Sequence, residues 1–290
     1  MAEPELPYPN VLADLAVEPV QGHPGVYRGH TRDAWNAPVY PSGGVLMGVA
    51  LRAMEHALGR PEHRLRTATT LFVSTVGPGP LEIRVEALRT GRRMSQLRAS
   101  LGNPGREPGH FIVAAFGEAR PAFAFSDSDP PQAPPPDACP GPAELPPGAR
   151  SFNAPFFENV EYRRVRMHHS FETGWEGGRA EAIRWIRYRQ PPRLPDGRLD
   201  PASLPALADT MPSAIGQYLG PDPARFFHAP SVDLTVHHFA DARGDWLLAR
   251  TRAHWAGDGY ASAATHLWDD DGTLVAYAAQ LMLIRFPDQD

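Results

Sequence analysis

Residues 41–59 read Pro41-Ser42-Gly43-Gly44 followed by VLMGVALRAMEHALG. A serine and two glycines are helix-start signals and Gly59 is a stop, so the stretch predicts a helix over 45–59. Val45, Leu46, Val49, Ala50, Ala53, Met54 and Ala57 cover most of its circumference. A helix apolar on nearly every side is buried. Four strand candidates follow it: Leu65–Val73, Leu81–Arg89, Met94–Leu101 and His110–Phe116. In the second, Leu81, Ile83, Val85 and Ala87 alternate with Glu82, Arg84 and Glu86, the period of a half-buried strand. Gly77-Pro78-Gly79-Pro80 and Thr90-Gly91 supply turns.

The same order recurs downstream. Strands are expected at Tyr162–Phe171 and Arg179–Tyr188. Then comes Leu207-Ala208-Asp209-Thr210-Met211-Pro212 before SAIGQYLG, with Asp209 read as the N-cap of a helix whose first turn tolerates Pro212. Four further strands are expected at Ser231–His238, Trp246–Trp255, Tyr260–Trp268 and Thr273–Ile284, the last two joined at Asp270-Asp271-Gly272. Strands in runs, not alternating with helices, predict an α+β fold with two repeats, each a central helix wrapped by a curved antiparallel sheet. Between the repeats, residues 120–150 are about a third proline, which predicts an extended connector. The expected domains are 1–120, a linker at 121–155, and 156–290.

A net charge of -5 gives no global basic field for nucleic acid or an anionic membrane. The single cysteine, Cys139, forms no intrachain disulfide and no cysteine-based metal site. The N-terminal residues carry acids and prolines where a signal peptide has a basic end and an apolar run, and no segment approaches the ~18 apolar residues of a membrane span. The expectation is a soluble cytoplasmic protein. GxSxG, HExxH and GxGxxG motifs are absent. In His168-His169 and His237-His238, neighbours on a strand point to opposite faces, so neither pair chelates one ion, and no metal is expected.

Five short motifs resemble the acyl-CoA thioesterase II family. They are Ser231-Val232-Asp233-Leu234-Thr235 with Trp246-Leu247-Leu248 after it; Tyr277-Ala278-Ala279-Gln280-Leu281-Met282-Leu283-Ile284-Arg285; Leu207-Ala208-Asp209; Gly43-Gly44 before the helix; and Leu88-Arg89-Thr90-Gly91-Arg92-Arg93-Met94-Ser95. Leu281-Met282-Leu283 after the glutamine, Thr210 after the aspartate and Leu234 before the threonine depart from the family pattern and suggest a divergent branch. The resemblance implies a double hotdog fold, hydrolysis of fatty acyl-CoA in lipid metabolism, no cofactor, and assembly into dimers or tetramers. It also implies that Asp209, Thr235 and Gln280 hold the attacking water.

The chemistry of these residue types suits that role. A thioester is electrophilic enough for direct attack by an oriented, deprotonated water. A carboxylate accepts the proton, and a hydroxyl and an amide orient the water. The helix dipole would lower the pKa of Asp209 and burial would raise it. Gln280 stands in a run of Ala, Leu, Met and Ile, where an amide is costly unless bonded. Gly43 and Gly44 are the candidate oxyanion donors. Arg89, Arg92 and Arg93, with Arg98, are candidates for CoA phosphates or else form a solvated turn. Asp233 either supports the site or is a structural charge. Two other readings are a double hotdog that binds an acyl-CoA or lipid-like ligand without turnover, and a hydratase, which lacks its Asp/His pair here.

Overall fold

The structure, a computed structural model, describes residues 8–142, 154–169, 172–222 and 226–286. The first half contains α1 (Val11–Asp14), β1 (Glu18–Pro19), β2 (Val26–Thr31), α2 (Gly43–Leu58), β3 (Arg64–Phe72), β4 (Gly79–Thr90), β5 (Met94–Gly102) and β6 (His110–Gly117). The second contains α3 (Phe156–Asn159), β7 (Val160–Arg166), β8 (Glu181–Tyr188), α4 (Leu204–Ala208), α5 (Pro212–Leu219), β9 (Asp233–His238), β10 (Leu247–Gly257), β11 (Tyr260–Trp268) and β12 (Leu274–Leu283).

Among the described residues the twelve strands form one sheet, in the order β1-β2-β4-β5-β6-β3-β9-β12-β11-β10-β8-β7. The halves join where β3 pairs antiparallel with β9, with Thr69 opposite Thr235. Each half places β-branched and apolar residues at alternate positions, so one face packs on the helices. Along β12, Ala278, Gln280 and Met282 are buried, while Tyr277, Ala279 and Leu281 are only partly so.

Helix α2 runs through the core as its composition requires, with Leu46, Met47, Leu51 and Met54 fully buried. Burying each such side chain contributes about 1.5–3 kcal/mol. Gly59 ends the helix at φ 60, the left-handed conformation glycine adopts without penalty. Gly44 and Gly48, one turn apart, let α2 press against the chain that leads into and through α4. A side chain at Gly44 would strike the Pro205 carbonyl, and one at Gly48 the Ala202 carbonyl and Leu15. Arg52 of α2 is also paired with the buried Asp200 of the second half.

Four expectations need correction. The second half has no single central helix, because Asp209 and Thr210 interrupt it between α4 and α5. Strand β7 stops at Arg166, and residues 170–171 of the longer strand expected there lie outside the described residues, as do 143–153 of the linker. Strands β1 and β2 have no counterpart in the sequence reading. Finally, the described part of the proline-rich segment is extended and fastened along the second half. Trp268 Nε1 donates to the Ser128 carbonyl at 3.0 Å and Trp185 Nε1 to that of Pro134 at 2.8 Å. Cys139 is buried against Ile183, Trp185, Leu248 and Trp268 on the outer face of the second half. No helix among the described residues is long and apolar enough to cross a membrane.

The tight α2–α4 approach makes Gly48 sensitive to one added methyl. Gly48→Ala is expected to cost about 1–3 kcal/mol through overpacking, despite the better helix propensity of alanine. Urea denaturation of the two proteins checks this.

Candidate active site

The site forms where the two halves touch. Asp209 ends α4, with its N–H donating to the Pro205 carbonyl at 2.9 Å. Its backbone lies at φ -74, ψ 47, and Thr210 N–H donates to the Ala208 carbonyl at 2.8 Å. This is an inverse γ-turn, and it breaks the helix at Asp209. Asp209 is therefore the C-cap of α4 and not the N-cap of α5, as its position before Pro212 suggested.

The carboxylate caps a different helix. Ser42, at the N-cap of α2, makes no side-chain bond to the helix it begins. Its hydroxyl donates instead to Asp209 Oδ2 at 3.3 Å, and Gly44 N–H donates to the same oxygen at 2.9 Å. Asp209 thus performs the capping that an N-cap side chain performs locally, from the other half of the chain. Ser42 is itself held by its N–H, which donates to the Trp35 carbonyl at 2.8 Å. Trp35 is fixed by its indole N–H donating to buried Asp14 at 2.7 Å, and Arg32 closes that contact.

Gln280 approaches from β12. Its Nε2 donates to Asp209 Oδ1 at 2.8 Å and also to Ser231 Oγ. Its Oε1 is buried and accepts no hydrogen bond from the protein. Asp233 Oδ1 accepts from Leu281 N–H at 2.7 Å, pinning the strand next to Gln280, so Asp233 is a fastening charge.

The structure does not bring Thr235 to this point. Thr235 pairs with Ala279, and cross-strand partners share a face of the sheet. Gln280, the next residue along, projects from the other face. The Thr235 hydroxyl is bonded to that of Thr69 at 2.9 Å. Ser231 stands where Thr235 was expected. It bridges to Met282, two residues from Gln280 and on its face. Strand parity could not have found it, because Ser231 and Thr235 are four apart and would share a face on one regular strand. The register shifts by one residue between the Thr235–Ala279 pair and the Ser231–Met282 bridge, and that shift turns Ser231 inward.

The two glycines expected as oxyanion donors differ in what their N–H groups meet. The Gly44 N–H is taken by the carboxylate and its missing side chain admits α4. At Gly43 an added Cβ would lie 2.6 Å from the Phe72 ring and 3.3 Å from Asp209 Oδ2. Gly43 N–H, at the first helical position, has no intrahelical acceptor and remains a donor beside the carboxylate. Phe72 packs edge-on to His110 at 4.9 Å, and burial lowers the His110 pKa to about 4, so that ring is neutral.

Arg89, Arg92 and Arg93 are exposed at the β4–β5 turn. Met94 and Arg64 both pair with Gly117, whereas Phe72 at the site pairs with His110. At ~3.3 Å per residue the turn is roughly 25 Å along β3 from Phe72. Their place on the sheet does not join them to the carboxylate.

Burial raises the pKa of Asp209 to about 6, against the hydrogen bonds from Gly44, Gln280, Ser42 and Ser231, which favour the charged form. The competition between dipole and desolvation that the sequence left open is won by desolvation.

One curved antiparallel sheet wrapped twice around central helices defines the double hotdog class. The chain belongs to the acyl-CoA thioesterase family: residues 31–117 match its N-terminal domain and residues 130–284 its C-terminal domain. The second match begins inside the proline-rich segment that lies against the C-terminal sheet. A hotdog-fold protein of unknown function from Alicyclobacillus acidocaldarius is similar at 23% identity and TM-score 0.79, over 96% of this chain and 98% of that one. An acyl-CoA thioesterase II, TesB2, from Mycobacterium marinum is similar at 24% identity and TM-score 0.74, over 97% and 100%. A protein of Novosphingobium aromaticivorans, provisionally described as a thioesterase, is similar at 27% and 0.74, over 92% and 98%. No curated protein matches the chain significantly in sequence.

Because the native state binds the Asp209 proton more tightly than the unfolded chain, the stability this gives is full below the ordinary carboxylate range. It is lost as pH rises through about 6. A rise of about two units corresponds to at most ~3 kcal/mol. Asp209→Asn, which cannot ionise, is expected to gain stability relative to wild type between pH 4 and pH 8. Chemical denaturation at the two pH values measures the difference.

Proposed function

We propose that the protein hydrolyses an acyl-CoA thioester to the free acid and CoA, with Asp209 as general base. The observation that carries this reading is the buried, unpartnered Gln280 Oε1 beside a carboxylate whose pKa lies near working pH. A water between them donates one hydrogen to Asp209 and one to Gln280 Oε1, which points its lone pair outward at the thioester carbon. Family membership supplies the substrate class.

Asp209 takes the proton as the oxygen–carbon bond forms, and the negative charge moves to the former carbonyl oxygen. Gly43 N–H, at the positive end of α2, stabilises that oxyanion. When the intermediate collapses, the carbon–sulfur bond breaks and Asp209 returns its proton to the departing thiolate. A pKa near 6 serves both steps: the carboxylate is ionised at pH 7, and its conjugate acid is stronger than a thiol. Ser231 holds Gln280, and through it the water. The same arrangement without turnover would be a binder, and that outcome shows up as acyl-CoA binding with no thiol released.

Thiol release from a panel of acyl-CoAs, followed with a chromogenic disulfide, tests the reading. Asp209→Asn is expected to lower kcat/KM at least 100-fold and Ser231→Ala roughly tenfold, in the range for loss of a general base or an orienting group. Thr235→Val, on the outer face, is expected to stay within about twofold of wild type. Absence of release from every substrate, or release indifferent to Asp209→Asn, overturns the proposal. In the wild type, kcat/KM is expected to fall about tenfold per unit of pH below about 6 and to level off above it, as required of a base that must be ionised.

A further inference from the structure

Arg184 is a buried charge that the site around Asp209 does not use. It projects from β8 on the inner face, opposite Ala249, and is only 2% exposed. Its Nη2 donates to Thr210 Oγ1 at 2.5 Å and reaches the Thr210 carbonyl at 3.4 Å. Nη1 meets only the Met167 sulfur, at 3.8 Å, and Nε has no partner. The guanidinium lies 5.8 Å from the centre of the Tyr162 ring.

Among the described residues no carboxylate answers this charge. Arg164 on β7 is paired with Glu172 at 2.5 Å, so that pair is neutral together. Burial, followed by Arg164, lowers the pKa of His169, which keeps that ring uncharged. Glu181 at the start of β8 is engaged by Arg166 and Arg250. Helix α5, Pro212–Leu219, carries no charged residue. Burial lowers the pKa of Arg184 to about 10, which leaves it protonated at neutral pH. A buried, unpaired charge is destabilising until an anion pairs with it.

Thr210, which Arg184 bonds, immediately follows Asp209. We infer that Arg184 receives the terminal carboxylate of a short acyl chain, so that the preferred substrates are acyl-CoAs whose acyl group itself ends in a carboxylate. The unpartnered Nε–H offers a charge-assisted hydrogen bond to a carboxylate oxygen. One buried arginine also suits one anionic charge, which favours an acyl terminus over the several phosphoryl charges of CoA. Small side chains stand beside it on the inner face, Ala249 across from it on β10 and Ala182 two residues away on β8, both buried. This inference rests on the thioesterase reading for its substrate class, whereas the carboxylate site itself can be tested without turnover.

The test compares glutaryl-CoA with pentanoyl-CoA, matched in length and differing in the terminal carboxylate, for wild type and Arg184→Met. The expected ratio of kcat/KM, glutaryl over pentanoyl, is at least tenfold in wild type, falling to one or below in the variant. A second arm follows Tm with free glutarate, pentanoate and CoA. Glutarate is expected to raise the wild-type Tm more than pentanoate does, and the difference is expected to vanish in Arg184→Met. If neither ester releases thiol, the thioesterase reading fails and the Tm arm alone decides the carboxylate site. A wild-type ratio near one, a ratio unchanged in the variant, or an Arg184-dependent Tm shift from CoA alone overturns the inference. Arg184→Lys, which keeps the charge and loses the planar guanidinium with its Nε–H, is expected to fall between the two and guards against a variant that fails to fold.

Discussion

The hydrogen bond from Gly44 N–H to Asp209 joins the two halves of the protein at the point where chemistry is expected. It satisfies an orphan donor at the start of the central helix, and it favours the charged form of a carboxylate whose pKa burial raises. Gly44 serves the contact twice, through its N–H and through the missing side chain that admits α4. The γ-turn at Asp209, the diversion of Ser42 from its own helix and the strand-fastening role of Asp233 all hold that one carboxylate in position.

The fold was legible because its signals are local and periodic. The apolar circumference of α2, the alternation in β4 and the turn at Asp270-Asp271-Gly272 each specify an element without reference to the rest of the chain. Strands β1 and β2 were missed because they are short and polar and form only where β4 offers an edge. The break between α4 and α5 was missed because Asp209 before Pro212 carries the composition of an N-cap. Its actual turn depends on a partner 165 residues away.

The site was legible in part, and the division has one cause. Gln280 stands out as an amide in an apolar run, while its meeting with Asp209 was expected only from the family resemblance. Thr235 was chosen from a motif of five residues in which a serine and a threonine both carry hydroxyls. Only strand pairing tells which of them faces inward, and the register set by Ala279 sends Thr235 outward. Arg184 gave no sequence signal, since an arginine on a strand reads as a surface residue until its neighbours are known.

Asp209 sits in the protein as a carboxylate poised near neutrality by burial and held by donors from both halves. Carbon NMR of protein labelled at the aspartate carboxyl carbons tests it directly, by comparing titrations of the wild type and Asp209→Asn. The account predicts one resonance that titrates near pH 6 and is missing from the variant. If the resonance lost in the variant titrates at or below the ordinary aspartate range, near 4, the carboxylate is solvated and the account fails.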